Sequence, residues 1–238
     1  MPTDPIYHRD AFAREFDATV TAVVEGGVVL DRTAFYPGGG GQPCDVGTLT
    51  FGGATVAVTR VGRRDGEIVH EVEGAMPAVG TRVHGAIEWE NRHALMRTHT
   101  ALHILCGVIW RDFGAHVTGG NMTPLAARMD FELENMSADF AERVERLANA
   151  EIDADRPIGV RFLSREEANG HPDLIRTKVN LLPEGITEVR VVDIDGLDVQ
   201  ADGGTHVAST REVGRIRIVG HESKGRINKR LRLVIEDA

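Results

Sequence analysis

Two pairs of side chains that can bind a metal ion occur in the sequence, each with a spacing of four residues. His99 and His103 enclose the segment Thr-Ala-Leu, and Asp202 and His206 enclose the segment Gly-Gly-Thr. On an α-helix, residues four apart differ in direction by only about 40°, so both imidazoles of the first pair project from one face. Because imidazole nitrogen and carboxylate oxygen are both ligands of Zn²⁺, the two pairs predict one shared metal site.

Each pair has a simpler interpretation when it is taken alone. Two histidines of one helix can be neighbours without sharing an ion, and Asp-Gly-Gly is a common turn sequence. A zincin protease is excluded, because those enzymes place a glutamate directly after the first histidine, where this chain has Thr100. Cys106 lies about one turn beyond His103, but three ligands along one straight helix converge poorly. We therefore interpret Cys106 as a core residue.

A glycine-rich segment, 35–42, has the sequence Phe-Tyr-Pro-Gly-Gly-Gly-Gly-Gln. A loop without side chains lets backbone amides approach a ligand or surround an anion, although a flexible hairpin connection has the same composition. The segment lacks the Lys-Ser/Thr of a P-loop and the strand-to-helix setting of a dinucleotide fold. Neither nucleotide interpretation therefore holds.

The segments around these motifs have the patterns of two different domains. β-branched runs between Asp17 and about Trp89 are separated by glycine pairs, which predicts a small antiparallel barrel. A helical pattern of apolar residues then starts at about Asn91. We therefore predict an α+β fold, with an N-terminal β-barrel domain at residues 1–90 and an α+β domain at residues 91–238.

The second domain is predicted to contain a long amphipathic helix among several strands. Ser137 is a good N-cap for this helix, which runs from Ala138 to about Ala154, and Ser164 caps a short helical turn. The predicted strands lie at His116–Met122, Ala126–Leu133, Ile158–Leu163, Glu188–Ile194, Arg215–Val219 and Arg230–Ile235.

Charge is distributed unevenly along the chain. A net charge of −9 argues against a protein that holds nucleic acid with its whole surface. The segment Arg211–Arg232 differs, because eight basic residues and two glutamates give it a net charge of +6. Such a segment fits a contact with phosphates, and a charged, solvated edge strand is the alternative.

The ordered motifs resemble the AlaX family of freestanding alanyl-tRNA editing proteins, which are related to the editing domain of alanyl-tRNA synthetase. The motifs are Tyr36–Gln42, Met96–His103, Asp202–Val207 and Glu222–Gly225, and together they span nearly the whole chain. The resemblance is to the medium-length type, which has a small β-barrel domain and an editing domain. It implies a translation-fidelity hydrolase that removes serine, and in some members glycine, from tRNA(Ala) without ATP.

The resemblance also implies roles for individual residues. The family's metal-binding histidines correspond to His99, His103 and His206, which together with Gln42 we expect to be catalytic, with one Zn²⁺ per chain. The family usually has cysteine where this chain has Asp202. A carboxylate is a harder ligand than a thiolate, so we expect retained metal with altered affinity or preference, and loss of the metal is the alternative.

Substrate contacts are implied in the same way. The glycine loop and Gln42 are expected to close over the aminoacyl end, while Thr100 and the strand 117–121 are candidates for sensing the serine hydroxyl. The expected loop residues are Gly38, Gly39, Gly40 and Gly41. The expected contacts with tRNA phosphates are Arg215, Arg217, Lys224, Arg226, Lys229 and Arg230, with Arg60, Arg63 and Arg64 as further candidates.

The same residues are compatible with two other functions. A non-catalytic tRNA-binding protein with a structural or lost metal site is one alternative, and a metal hydrolase for an unrelated small ester or amide is another. Structural zinc sites favour thiolates, so a histidine-rich site favours catalysis. No apolar stretch approaches the roughly 18 residues of a membrane span, and Cys44 and Cys106 lie far apart, so we expect a cytoplasmic, reduced protein. The sequence is compatible with either a monomer or a homodimer.

Overall fold

Strands with alternating buried and exposed residues form a closed antiparallel barrel in the N-terminal half of the chain. In the strand Glu15–Val24, for example, Phe16, Ala18 and Val20 are buried and alternate with more exposed side chains. The arrangement is that of a computed structural model, which describes residues 2–171, 174 and 187–237. Each strand of the wall contributes one of its faces to a common core.

The barrel lies in the first of two units, Met1–Ala94 and Leu95–Ala238. Its strands are β1 (Asp4–Pro5), β2 (Glu15–Val24), β3 (Gly27–Leu30), β4 (Arg32–Thr33), β5 (Gly47–Phe51), β6 (Ala54–Arg64), β7 (Glu67–Glu73) and β8 (Arg82–Ile87). Six of them close the wall in the order β2-β3-β7-β6-β5-β8, and β1 pairs with β4 in parallel. The predicted barrel is confirmed.

An ion pair in the interior of the first unit connects the glycine-rich segment to the core. Arg92 and Asp45 are both fully buried, and the guanidinium Nε lies 2.9 Å and 3.0 Å from the two carboxylate oxygens. The same carboxylate accepts the backbone N–H of Tyr36 at 2.6 Å, and Arg92 also donates to the carbonyls of Ala11 and Ala34. Because every charge here has partners, the burial of the pair is tolerated.

The second unit combines two antiparallel sheets with helices. Its elements are β9 (Val117–Thr123), β10 (Ala126–Glu132), α2 (Ala138–Asp153), β11 (Ile158–Ser164), α3 (Arg165–Asn169), β12 (Glu188–Ile194), β13 (Asp198–Ala201), β14 (Arg215–Gly225) and β15 (Asn228–Glu236), preceded by α1 (Trp89–Phe113). One sheet has the order β14-β15-β10-β9 and the other the order β11-β12-β13. The predicted α+β class is confirmed.

The capped helices agree with the sequence patterns, and several strand and helix boundaries differ. Ser137 accepts the N–H of Phe140 at the start of α2, and Ser164 forms a capping box at α3. Strand β14 continues to Gly225, well past the predicted end at Val219, because its pairing with β15 continues to that residue. The added segment is polar and lacks apolar alternation, so its sequence does not indicate a strand. Helix α1 begins at Trp89, before the predicted start.

Two further findings concern possible membrane spans and the division between the units. Within the described ranges, no helix combines the length and apolar character that a membrane span requires. The division between the two units falls inside α1, between Ala94 and Leu95. The domain boundary at residues 90 and 91 stays a prediction.

Removing the buried guanidinium should destabilise the protein strongly. In Arg92→Met, the Asp45 carboxylate stays buried without its cation, which we expect to lower the free energy of unfolding by about 3–5 kcal/mol. Urea denaturation of the two proteins measures the difference. The control is Arg9→Met, which removes an exposed ion pair with Asp4 and should cost less than about 1 kcal/mol. Equal losses in the two variants would show that Arg92 does not hold this region.

Candidate metal centre

Helix α1 positions the first pair of predicted ligands. His99 and His103 are 4% and 6% exposed, and their ring centroids are 5.1 Å apart on one face of the helix. Gly107, one turn further on, allows close packing, because a Cβ there would lie 2.9 Å from the Leu197 side chain and 3.0 Å from Asp198 Cβ. The absence of a side chain at this position thus lets the turn between β12 and β13 approach the helix beside His103.

The second pair lies in the loop that follows β13. The carboxylate of Asp202 accepts the backbone N–H of Gly204 at 2.7 Å, which is the local bond expected of an Asp-Gly turn. Arg190, on the neighbouring strand β12, is buried and donates to the carbonyl oxygen of Asp202 at 2.8 Å. His206 is 4% exposed. Asp202 is therefore held by the Gly204 N–H and by Arg190, and its carboxylate also contacts Nε2 of His206 at 3.1 Å.

The structure brings the two pairs together. One ligand atom from each of His99, His103, Asp202 and His206 lies within 4.8 Å of the corresponding atoms of the other three. The ring of His206 is centred 4.3 Å from that of His99 and 4.6 Å from that of His103. The histidine pair of the helix and the Asp202–His206 pair of the loop thus converge in space, as the sequence predicts.

Hydrogen bonds indicate which nitrogen of each ring faces the cluster. Nδ1 of His103 lies 3.1 Å from the Asp198 carboxylate, and Nδ1 of His206 lies 3.1 Å from Thr100 Oγ1. The Nε2 atoms of His206 and His99 lie 3.1 Å and 3.6 Å from Asp202. Metal-binding histidines commonly use one nitrogen as ligand and donate the other N–H to a carboxylate or oxygen acceptor, so this donor set suits zinc.

Burial and the neighbouring groups together keep His99, His206 and Asp202 in the forms that favour metal binding. It lowers the pKa of His99 to about 4, and together with the charge of His99 it holds the pKa of His206 well below its ordinary value. Burial alone would neutralise Asp202, but the charge of His99 and the hydrogen bond with His206 outweigh it and hold the pKa of Asp202 well below its ordinary value. Near pH 7 these groups are in the forms that a metal binds.

His103 differs from the other two histidines. Burial lowers its pKa, but the hydrogen bond and the charge of Asp198 outweigh that effect, so its pKa lies above the ordinary value. As pH falls, His103 is therefore the first of the three imidazoles to take up a proton.

Asp198 and Gln200 support the site and were not recognised in the sequence. Gln200 donates to the Asp198 carboxylate at 2.6 Å, and that carboxylate in turn contacts His103. A signal was present, because Asp198, Gln200 and Asp202 are spaced two apart, and side chains at this spacing share one face of a strand. Without the hairpin register, this alternation could not be assigned to a metal site.

Thr100 contacts a predicted metal ligand. Its side chain is fully buried, and its Oγ1 accepts the backbone N–H of Val207 at 3.3 Å while it contacts Nδ1 of His206. A hydroxyl with these partners orients His206. Its predicted contact with the serine hydroxyl stays a prediction. Cys106 is 2% exposed and is a core residue, as predicted.

The glycine loop belongs to the first unit and has a backbone that favours glycine. All four residues have positive φ, with 78°, 134°, 58° and 90° at Gly38, Gly39, Gly40 and Gly41. Gly39 and Gln42 exchange two backbone hydrogen bonds, and the hydroxyl of Tyr36 donates to the carbonyl of Gly39 at 3.0 Å. The loop is thus a defined turn, and Gln42 is 3% exposed. Its contact with the aminoacyl end stays a prediction.

The predicted tRNA contacts have different surroundings. Arg215 pairs with Asp153 and Arg217 with Glu145, while Lys224 and Arg226 are exposed near the β14–β15 turn. Lys229 is buried, because its Nζ donates to the carbonyls of Gly225 and Arg226 at 2.6 Å and 2.9 Å. Lys229 thus stabilises the hairpin turn, and the contacts of these residues with tRNA stay predictions.

The further candidates for tRNA contacts, Arg60, Arg63 and Arg64, lie on strand β6 of the barrel. Arg60 and Arg64 contact Glu71, and Arg63 lies 3.4 Å from the hydroxyl of Tyr7. Their contact with tRNA stays a prediction.

Comparison with known families identifies the class of protein that this fold and this site define. Residues 8–91 match the family described as tRNA synthetases class II (A), and residues 189–232 match the threonyl and alanyl tRNA synthetase second additional domain. The second match includes Asp202 and His206. The chain thus has the domains of the editing region of alanyl-tRNA synthetase.

Full-length relatives specify the family further. The chain is 38% identical to alanyl-tRNA editing protein AlaX-M of Methanosarcina acetivorans, over 99% of this chain and 100% of that protein. It is 40% identical to AlaX-M of Saccharolobus solfataricus, over 96% and 97%. It is also 41% identical to the alanine–tRNA ligase of Thermofilum pendens, over 93% of this chain but only 25% of the ligase. The chain belongs to the AlaX-M family of alanyl-tRNA editing proteins.

Asp202 should control the strength and selectivity of metal binding. We expect the purified protein to bind one Zn²⁺, and Asp202→Ala to weaken binding by more than the roughly 10–100-fold typical of changes to supporting residues. Asp202→Cys should favour zinc over Mn²⁺ more strongly, because thiolate is the softer ligand. Titration with a competing chelator measures these constants. If Asp202→Ala binds zinc like the unchanged protein, Asp202 is not a ligand.

Asp198 should set the pH at which the metal is lost. A proton on His103 competes with the metal, so affinity should fall as pH drops through the raised pKa of His103. In Asp198→Asn, burial dominates and the pKa of His103 falls, so the loss should begin at lower pH. Near pH 8 the affinity should already be about 10–100-fold weaker, because the ring has lost its orienting carboxylate.

Zinc titrations at several pH values between about 5 and 8 measure both effects. The control is Asp195→Asn, which removes the same charge from an exposed position in the β12–β13 turn. An unchanged pH profile in Asp198→Asn would contradict the role given to this carboxylate.

Proposed function

We propose that the protein is a cytoplasmic aminoacyl-tRNA deacylase that hydrolyses the ester of Ser-tRNA(Ala), with Gly-tRNA(Ala) as a second substrate, and that it needs one Zn²⁺. The observation that carries this proposal is the convergence of three buried imidazoles and one carboxylate in a chain of the AlaX-M family. A cluster made only of oxygen ligands would instead favour Mg²⁺ or Ca²⁺.

The residues present fit a catalytic zinc site better than a structural one. The donor set of His99, His103, His206 and Asp202 contains no thiolate, whereas structural zinc sites are rich in cysteine. Zinc bound there would act as a Lewis acid that stabilises negative charge on an ester oxygen or lowers the pKa of water.

Asp202 is the ligand best suited to leave an open position for substrate or water. The histidine side chains are at most 8% exposed, whereas the Asp202 side chain is 14% exposed. Its carboxylate also has the Gly204 N–H at 2.7 Å and the guanidinium of Arg190 at 3.8 Å as alternative partners. Three fixed histidines and one exchangeable carboxylate would thus combine tight metal binding with access for a substrate.

Selectivity must come from rejection of correctly charged Ala-tRNA(Ala). Alanine lacks the hydroxyl of serine, so a site that hydrogen-bonds this hydroxyl leaves its own polar groups unpaired when alanine is bound. We assign recognition of the aminoacyl end to Gln42 and the glycine loop, with Thr100 as a further candidate, as part of this proposal. A loop of four glycines, of which Gly39 and Gly40 are exposed, lets backbone amides approach a small substrate closely.

Deacylation assays test the proposed function. We expect fast hydrolysis of Ser-tRNA(Ala), slower or equal hydrolysis of Gly-tRNA(Ala), and little hydrolysis of Ala-tRNA(Ala). Removing the metal with a chelator, or changing His103 to Ala, should reduce the rate by at least about 100-fold, since metal assistance typically supplies several kcal/mol. Radiolabelled aminoacyl-tRNA with and without added zinc measures these rates, and elemental analysis confirms the metal content.

Four results would count against the proposal in different ways. Unchanged hydrolysis by fully demetallated protein would reject the zinc requirement. Equal rates on Ser-tRNA(Ala) and Ala-tRNA(Ala) would reject the editing role, and binding of tRNA(Ala) without hydrolysis would favour a non-catalytic tRNA-binding protein. Equal efficiency on a free serine ester and on Ser-tRNA(Ala) would favour a general small-ester hydrolase.

A further inference from the structure

The outer face of the four-stranded sheet β14-β15-β10-β9 carries a network of charged side chains, which we call the arginine face. Cross-strand register places Arg230 opposite Asp130, and Arg232 opposite Arg128. On the other side of β15, Glu222 of β14 lies opposite Arg230. The arginine face consists of Arg128, Asp130, Glu222, Lys224, Arg230 and Arg232.

Cations outnumber carboxylates in this network. Arg230 holds Asp130 with two hydrogen bonds of 2.6 Å and 2.8 Å, and Arg128 contacts the same carboxylate at 3.3 Å. Arg232 contacts Glu222 at 2.8 Å, and Lys224 contacts it at 3.6 Å.

With four cations and two carboxylates, the arginine face has a net charge of +2 in a chain whose net charge is −9. This is the charge sign that attracts phosphates.

The cationic groups lie at the surface and retain hydrogen-bonding capacity. The side chains of Arg128, Lys224 and Arg232 are 34%, 41% and 49% exposed, whereas that of Asp130 is only 10% exposed. A guanidinium has five N–H donors, and among the described residues Arg128 and Arg232 each have one side-chain acceptor. The donors that remain can form bidentate contacts with phosphate oxygens.

Glycines make the surface beside these arginines flat. Gly119 of β9 lies opposite Asp130, and Gly220 of β14 lies opposite Arg232. A Cβ at Gly119 would meet only the Asp130 carboxylate within 4 Å, and one at Gly220 only the Arg232 side chain. At these two positions the neighbouring strands thus have no side chain that would keep an extended backbone away, whereas Asn121 lies opposite Arg128.

The sheet is connected directly to the helix that carries the predicted metal ligands. Arg97 of α1 donates to the carbonyls of Val213 and Glu236, and Thr98 accepts the N–H of Leu125 in the β9–β10 turn. These contacts lie one and two residues before His99. At about 3.3 Å per residue along β15, Arg232 is about 13 Å from the Glu236 contact.

We infer that the arginine face binds the phosphate backbone of the tRNA while its aminoacyl end is at the metal centre. The inference rests on the proposed function in taking tRNA as the substrate. It adds Arg128 and Arg232 to the predicted contacts.

The inference predicts opposite effects from removing a cation and removing a carboxylate. Arg128→Gln and Arg232→Gln should each raise the Kd for tRNA(Ala) roughly 3–10-fold and reduce the slope of log K against log salt concentration by about 0.7–0.9. Glu222→Gln removes a competing acceptor and should lower the Kd, by about 2–5-fold near physiological salt. The matched control is Arg161→Gln on β11, which is 49% exposed and pairs with Asp193 but lies in the other sheet.

Fluorescence anisotropy with uncharged, labelled tRNA(Ala) measures binding of each full-length variant at several salt concentrations. Because no ester is present, this binding is independent of hydrolysis. The binding result can therefore be interpreted even if the proposed deacylase activity is absent. Thermal melting and zinc stoichiometry of each variant check that the fold and the metal centre are intact. Unchanged Kd and salt dependence in Arg128→Gln and Arg232→Gln, or weaker binding by Glu222→Gln, would overturn the inference.

Discussion

Three imidazoles and a carboxylate share a volume from which most water is excluded, and the rest of the second unit depends on satisfying them. Their ligand atoms lie within 4.8 Å of one another, and side chains outside the cluster help to orient them. Asp198 holds His103, Thr100 holds His206, and Arg190 holds the backbone at Asp202. The cluster is thus oriented by the protein before any ion is considered, which reduces the cost of binding one.

Two different elements deliver the ligands, and each has its own local cause. Helical spacing places the first histidine pair on one face of α1, and Gly107 lets the β12–β13 hairpin approach that face. The hairpin then presents polar side chains at alternate positions toward the helix. The arrangement depends on backbone register, so a change of one residue would move Asp198 to the other face of its strand.

Sequence patterns predicted those features that depend on local spacing. The barrel, the capped helix α2 and the histidine pair follow from alternation, from Ser137 and from the four-residue repeat, and all three are present. Features that depend on register or on packing could not be predicted. Thr100 looked available for substrate and is buried against His206, while Lys229 belonged to a basic run and is buried at a hairpin turn. In both cases the side chain's partner is set by tertiary structure.

X-ray absorption spectroscopy of the zinc-loaded protein at the zinc edge shows which atoms hold the ion. We expect a first shell of nitrogen and oxygen atoms at about 2.0–2.2 Å, with imidazole signals from three histidines and no sulfur. In His206→Ala, one imidazole should be missing from the same spectrum. A shell with sulfur at about 2.3 Å, or one made of oxygen alone, would show that the bound zinc is held elsewhere than at His99, His103, Asp202 and His206.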